Sequence, residues 1–510
     1  MNVVPLVRDV HALDTKIPHA EAHFDLVVVG AGHAGTTAAI DAAKTGASVL
    51  LLDEHPVPGA LIGTDVPYFF GGRATAAVQQ SGRMLEQLFG TNPDLEEAFE
   101  LGVDVRLGTV AWGLYVNGPA MRALPEPLLG IADGESAMMV GFERLMLATG
   151  ARDVVLGFPG WNQPGVMGAQ GFAALATRYE ALASRRIVIL GSGALGLETA
   201  QLALAHGIEV AALVEVEDAV QGPAARAAQV RATGIPIHLG TTIAATKAGI
   251  DGVEGITLVP LNTPPAKAGA QLRSVDSGGQ HPTSNPIDTG SRPAPGGNSR
   301  IDLVCDTIVL ALGVTPATEL LDAAGTGQTE TITLIGDAAT AQRPEAAYLQ
   351  KWATTLAQHA APDTIVCQCE DVTRADLIGV QPPHYLDRPH AMSARSLSSL
   401  LNDGPAHPDQ IKRLTRAGMG QCQGRRCRDQ VACLLAEQQQ VPLSAVPVAS
   451  YRAPVRPVPL RLLADWQERG DMAAGWDVWF GIPTQWTPYA VIGTPEEAEH
   501  VAGLGGNMHV

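Results

Sequence analysis

The chain has 510 residues, 46% of them apolar, and 34 basic against 52 acidic side chains give it a net charge of −18. That length predicts about two to four domains with sizeable cores, and the acidic balance argues against a nucleic-acid partner. No apolar run is long enough to span a membrane, residues 1–21 hold no signal-like apolar core, and six cysteines are too few for a disulfide scaffold, so a cytoplasmic protein is expected.

After a short N-terminal extension (1–21), an apolar run from Phe24 to Val29 leads directly into Gly30-Ala-Gly32-His-Ala34-Gly35. A small-residue helix from about Thr36 to Lys44 and a second apolar run, Ser48 to Leu52, bring the chain to Asp53-Glu54. This order is strand, tight turn, helix, strand. Gly30 permits the turn, Gly32 lets backbone approach a pyrophosphate, and Gly35 lets the helix pack on the strand. The free N–H groups of the helix start complement phosphate charge. Asp53 stands where a carboxylate can hold ribose hydroxyls, with Glu54 ranked second for that task. Gly30, Gly32, Ala34, Gly35, Asp53 and Glu54 are therefore the expected contacts of a dinucleotide. His33 reads as a surface turn residue.

A second unit of the same kind starts at Arg186 to Leu190 and continues through Gly191-Ser-Gly193-Ala-Leu-Gly196. A helix to about His206 and a strand from Ile208 to Val214 end at Glu215. An acid there favours NAD over NADP, because it binds a ribose 2′-hydroxyl and repels a 2′-phosphate. The site is also open to another adenine nucleotide such as ATP, or to no ligand. Residues 262–300, rich in Pro, Gly, Ser and Thr, are expected to be a flexible excursion from this domain.

Two such units in one chain resemble the pyridine-nucleotide–disulfide oxidoreductase superfamily. Three further segments carry the likeness: Leu147-Ala-Thr149-Gly150-Ala151, the run Ile308 to Thr318, and Leu334-Ile-Gly336-Asp337-Ala-Ala339. The resemblance implies FAD in the first domain, with Thr149, Gly150, Gly336 and Asp337 at the flavin. It also implies an α/β chain of two Rossmann-like domains, the FAD domain at 22–155 and 306–360 and the NAD-like domain at 156–305. The reactive dithiol of disulfide reductases is missing, since every cysteine lies at 305 or beyond. A Gly-Gly-Gln turn of the thioredoxin-reductase branch is replaced by Pro58-Gly59-Ala60-Leu61. Cys305, in an apolar run, and Cys433, in a helical pattern, read as core residues.

Cys367-Gln-Cys369 and Cys422-Gln-Gly-Arg-Arg-Cys427 are two close pairs of candidate thiolate ligands. Such pairs suit an iron–sulfur cluster or a structural zinc, and free thiols are the remaining reading. Thr373 with Asp376 and Pro408 mark helix starts beside them. The segments 366–373 and 414–427 closely resemble the small helical [2Fe–2S] domain of the α subunits of opine oxidases, hydrogen cyanide synthase and D-hydroxyproline dehydrogenases. The run 454–460 resembles the end of that group. The resemblance implies a cluster on Cys367, Cys369, Cys422 and Cys427 within residues 361–440, with 381–405 as a surface insertion. It implies a D-amino-acid-oxidase-like flavoprotein β subunit that oxidises an amine, an FMN at a subunit interface, and a small third subunit in a hetero-oligomer. No catalytic residue on the substrate is expected in this chain. A self-sufficient NADH-dependent reductase and a non-enzymatic scaffold are the competing readings. The tail, 441–510, is rich in Pro and Trp, and Trp466, Trp476, Trp479 and Trp486 are candidate contacts to a partner.

Overall fold

The computed structural model describes residues 19–55, 90, 92–118, 124–178, 182–261, 300–382, 395–464, 491 and 494–499. Nearly all of the N-terminal extension, the Pro58–Leu61 turn, the 262–299 excursion and the four tail tryptophans lie outside the described residues.

The first sheet is built on β1 (Ala22–Val29), β2 (Val49–Asp53), β3 (Asp104–Leu107), β4 (Val110–Tyr115), β5 (Leu128–Ala132) and β6 (Ala137–Leu147), in the order β3-β2-β1-β6-β5-β4. β1 lies parallel between β2 and β6. Leu26, Val27 and Val28 are fully buried, because a central parallel strand is covered on both faces. The helix His33–Lys44 starts three residues earlier than its sequence suggests. It packs tightly because a Cβ on Gly35 would stand 1.8 Å from the Gly30 carbonyl oxygen. The short strand Ile332–Leu334 returns to pair with β6. This brings a segment some 185 residues downstream, starting at Gly336, to the end of the first sheet.

The second sheet is parallel throughout, in the order 237–238, 209–214, 186–190, 307–310, 166–168. Thr307–Leu310 is an inner strand of this sheet and is buried along its length. The expected return to the FAD domain at residue 306 is therefore corrected. An all-apolar run of this kind is stable only where both faces are covered. The crossing is made by Val314–Pro316, paired antiparallel with Ala151–Asp153.

The helix Ala346–Ala357 also departs from its expected place in the FAD domain. Its buried Leu349, Trp352 and Leu356 instead join a core shared by the second nucleotide domain and the cysteine-bearing segment. In that segment a hairpin, Ile365–Cys367 with Val372–Thr373, precedes four helices among the described residues. Thr373 and Asp376 form a capping box, and Pro408 opens the helix Pro408–Thr415. The stretch 381–405 is not simply a surface insertion. Its helix Leu397–Asp403 seats Leu397 in the shared core, because an apolar residue following a Ser396 cap has somewhere to bury. The described part of the tail is likewise not a separate unit. Tyr451 and Val455 complete the core of the first domain, and Val455 N–H donates to the Trp112 carbonyl at 2.7 Å.

Candidate flavin and thiol sites

The first glycine loop is shaped by close backbone contact. Gly30 has φ +108°, and a Cβ there would lie 2.2 Å from the Ala148 carbonyl oxygen. Gly32 faces open space, as a phosphate-facing position must. Asp53 Oδ2 accepts from the Ala31 N–H at 2.7 Å, while Oδ1 accepts from His55 N–H at 2.8 Å and meets His55 Nδ1 at 3.0 Å. Burial alone would raise the Asp53 carboxyl, but the hydrogen bond and charge of His55 overcome it and hold it at about 2. Asp53 is thus a fixed carboxylate at the end of β2.

Gly336, at φ +60°, approaches Ala34 so closely that a Cβ would lie 2.9 Å from the alanine methyl. Asp337 opens the short turn of helix that follows. Thr149 Oγ1 donates to the Ala317 carbonyl at 2.6 Å, and the Gly150 carbonyl accepts from Ala317 N–H at 3.0 Å. Gly30, Ala34, Gly35, Ala148, Gly150 and Gly336 are therefore gathered at one end of the first sheet. The open cradle, the fixed carboxylate and the glycines suit the pyrophosphate and ribose of FAD.

Glu54 stands elsewhere. Its Oε2 accepts from Arg456 Nε at 2.7 Å, so the expectation that it serves a ribose is corrected. Only the folded chain could show this, because the two residues are 402 positions apart. His33 is exposed, as expected, but it is the first residue of the helix rather than of a turn, 3.5 Å from Asp94.

The second loop repeats the backbone of the first. Gly191 has φ +103° and would meet the Ala311 oxygen at 2.5 Å, and Gly196 would meet the Gly191 oxygen at 2.1 Å. Gly193 is open, as Gly32 is. Glu215, however, has no exposed surface. Its carboxylate accepts from Ser192 N–H at 2.9 Å, Ser192 Oγ at 2.7 Å, Tyr348 Oη at 3.1 Å and Glu217 N–H at 3.1 Å. The expectation that Glu215 greets a ribose is corrected, because four protein donors already saturate it. Sequence reasoning missed Tyr348, whose place depends on the packing of its helix.

The four cysteines are free thiols that meet as two hydrogen-bonded pairs, Cys367 with Cys427 and Cys369 with Cys422. The hydrogen bond shared with Cys369 lowers Cys422 to about 6, and that shared with Cys427 lowers Cys367, each against the burial that raises it. Gly418 N–H reaches Cys367 Sγ at 3.4 Å, and a Cβ on Gly420 would lie 2.4 Å from the Cys369 Cβ. Cys427 caps the helix Arg428–Gln439. Among the described residues no three His, Cys, Asp or Glu side chains converge on one metal ion. Cys305 and Cys433 are buried core thiols, as expected.

No helix among the described residues is long and apolar enough to cross a membrane. Residues 24–335 match the family of pyridine nucleotide-disulphide oxidoreductases, and residues 383–466 match the sarcosine oxidase A3 domain. An opine oxidase subunit of Agrobacterium tumefaciens (strain Ach5) is 28% identical over 512 residues, covering 86% of this chain and 91% of that relative. The hydrogen cyanide synthase subunit HcnB of Pseudomonas aeruginosa is 26% identical, covering 79% of this chain and 90% of its own length. The crystal structure of L-proline dehydrogenase from P. horikoshii shares the fold at a TM-score of 0.51 and 18% identity, over 87% of this chain and 79% of that one. The gathered glycine loops, the return strand beside β6 and these matches agree. The chain belongs to the pyridine nucleotide-disulphide oxidoreductase family, as an FAD-type oxidoreductase of the group that includes this opine oxidase subunit and the HcnB subunit of hydrogen cyanide synthase.

Proposed function

We propose that this chain is the electron-transfer α subunit of a multi-subunit dehydrogenase or oxidase acting on the C–N bond of an amine of the opine, proline or hydroxyproline kind. The amine is oxidised on a D-amino-acid-oxidase-like flavoprotein partner, with an FMN at the interface and a small third subunit completing the assembly. FAD, when bound, accepts electrons in pairs, and a [2Fe–2S] cluster takes them one at a time. Gly30, Gly32, Ala34, Gly35, Asp53, Thr149, Gly150, Gly336 and Asp337 would hold the FAD. Cys367, Cys369, Cys422 and Cys427 would hold the cluster.

The observation that carries this reading is the pairing of four thiols in a lobe that shares its core with the second nucleotide domain and meets the crossing strand through Arg152 and the Arg425 carbonyl. Two sulfurs for each of two irons suit that pairing better than a single tetrahedral zinc does. Gly418 N–H, aimed at Cys367, is a donor of the kind that stabilises a reduced cluster. NAD or ATP at the second loop would have to bind without Glu215, which weighs against a self-sufficient NADH-dependent reductase.

The test is a visible spectrum with iron and sulfide analysis of the anaerobically purified complex, before and after addition of candidate amines and then NADH. Flavin bands with an iron–sulfur shoulder, bleached by an amine only when the partner is present, are expected. Zinc in place of iron, or bleaching of the isolated chain by NADH, would overturn the reading.

A further inference from the structure

A buried line of polar contacts runs from the end of β2 to the cysteine loop. Arg456, which holds Glu54, also brings a guanidinium nitrogen to 4.0 Å from Glu319. Glu319 is 3% exposed and faces Arg152 at 3.4 Å. Arg152 donates to the Tyr451 hydroxyl at 2.8 Å and to the Arg425 carbonyl at 3.4 Å. Arg425 is 4% exposed and donates from Nε to the Cys422 carbonyl at 3.0 Å. Arg428 lies over the Tyr451 ring, 3.6 Å from its centroid. The members come from the end of β2, the crossing strand Ala151–Asp153, the helix Glu319–Ala324, the cysteine loop and the C-terminal segment.

Charges buried this deeply act through a lower effective dielectric than surface charges, so they are felt several ångströms away. Reduction of a metal centre on the cysteines adds one negative charge beside Cys422. A cation fixed there favours the reduced state, and a carboxylate among the same cations opposes it. Arg426 is placed differently, since its guanidinium donates to Gln368 at 3.2 Å.

We propose that Arg425 and Glu319 act in opposition to set the reduction potential of the metal centre held by the four cysteines. Arg425 raises the potential, and Glu319, facing Arg152 and Arg456, restrains it. Both are positioning residues, and the inference rests on the iron–sulfur reading above.

The test is a redox titration of the intact complex, following the EPR signal of the reduced cluster, for the unaltered protein and for R425Q, R425K and E319Q. R425Q is expected to lower the reduced-to-oxidised ratio at a fixed potential about tenfold, which is a shift of about 59 mV for one electron. R425K should restore most of it, and E319Q should shift the midpoint the opposite way. Unchanged midpoints with full cluster content would overturn the proposal, as would R425Q and E319Q moving together, the mark of a merely structural disturbance. Should R425Q fail to fold or to keep its cluster, E319Q decides: an upward shift supports the proposal, and no shift or a downward one overturns it. Zinc without iron in the unaltered protein would overturn the iron–sulfur reading itself. Iron present with unmoved midpoints overturns only this inference.

Discussion

At the first glycine loop, Asp53 accepts from Ala31 N–H at 2.7 Å, and at the second, Glu215 accepts from Ser192 N–H at 2.9 Å. The two backbones follow one plan: a glycine with φ above +100°, an open second glycine, and a third that touches the first. What differs is the ceiling. Asp53 lies beside a neighbouring histidine and keeps part of its side chain exposed, whereas Glu215 is covered by Tyr348 and the Ser192 hydroxyl until no surface remains. The comparison teaches that a glycine fingerprint specifies a βαβ unit, while residues far away in sequence decide whether its acid can meet a ligand.

The largest effect should come from Gly30→Ala. Its Cβ would strike the Ala148 oxygen in a backbone conformation alanine disfavours, and a cost of about 3 kcal/mol or more is expected. Flavin recovered with the purified protein should fall to background. Gly191→Ala meets a comparable clash and should lower thermal stability similarly, yet leave flavin per folded chain unchanged. Equal flavin loss in both variants would break the comparison.

Arg456→Ala comes next. It strips the cation from Glu54 and leaves Glu319 only Arg152, both carboxylates largely withdrawn from water, and should cost about 3 kcal/mol in urea unfolding. Flavin binding should weaken with it, since Glu54 adjoins Asp53.

Asp53 offers a pH test with a definite sign. Its carboxyl lies at about 2 in the folded chain against an ordinary 3.8. A depressed carboxyl contributes stability that is complete above about pH 4 and is lost as pH falls toward 2, on the order of 2 kcal/mol in all. Urea midpoints of the native protein and Asp53→Asn should differ at pH 5, and the difference should shrink to about a third near pH 2.5 and vanish only below pH 2. Flavin affinity at neutral pH should fall by about tenfold or more in the variant, the loss of a charged hydrogen-bond partner. Glu215→Gln should leave flavin affinity untouched.

Tyr348→Phe is the smallest change and sharpens the contrast most. Loss of one donor to Glu215 should cost about 1 kcal/mol, or roughly 2 °C in Tm. NADH should not bleach the flavin in either protein. Bleaching in the variant alone would show that Tyr348 is what closes the second site.

Much of this architecture is legible in sequence because it is written locally. The runs 26–29 and 187–190 are unbroken apolar strand segments, the glycines follow at fixed spacing, and Thr373 with Asp376 forms the cap that its spacing suggests. The errors fall where partners are distant. Glu54 reads as a ribose ligand only while Arg456 is out of sight, and Thr307–Leu310 falls to the wrong domain because an apolar run does not say which sheet it enters. Leu397 reads as part of a surface insertion because the helical spacing of Leu397, Leu400 and Leu401 lasts only one turn after a polar, proline-rich stretch.

By itself, the sequence determined two βαβ units, the family they belong to, and which four cysteines stand as pairs. Those features depend on backbone conformation and short spacing, which neighbouring residues dictate. Only the tertiary structure decided that Glu215 is sealed, that the C-terminal segment clamps the first domain, and that the thiols cross-pair between Cys367 and Cys427 and between Cys369 and Cys422. Those outcomes depend on burial and on charges meeting across hundreds of residues, where the energy belongs to the contact and not to either stretch of chain alone.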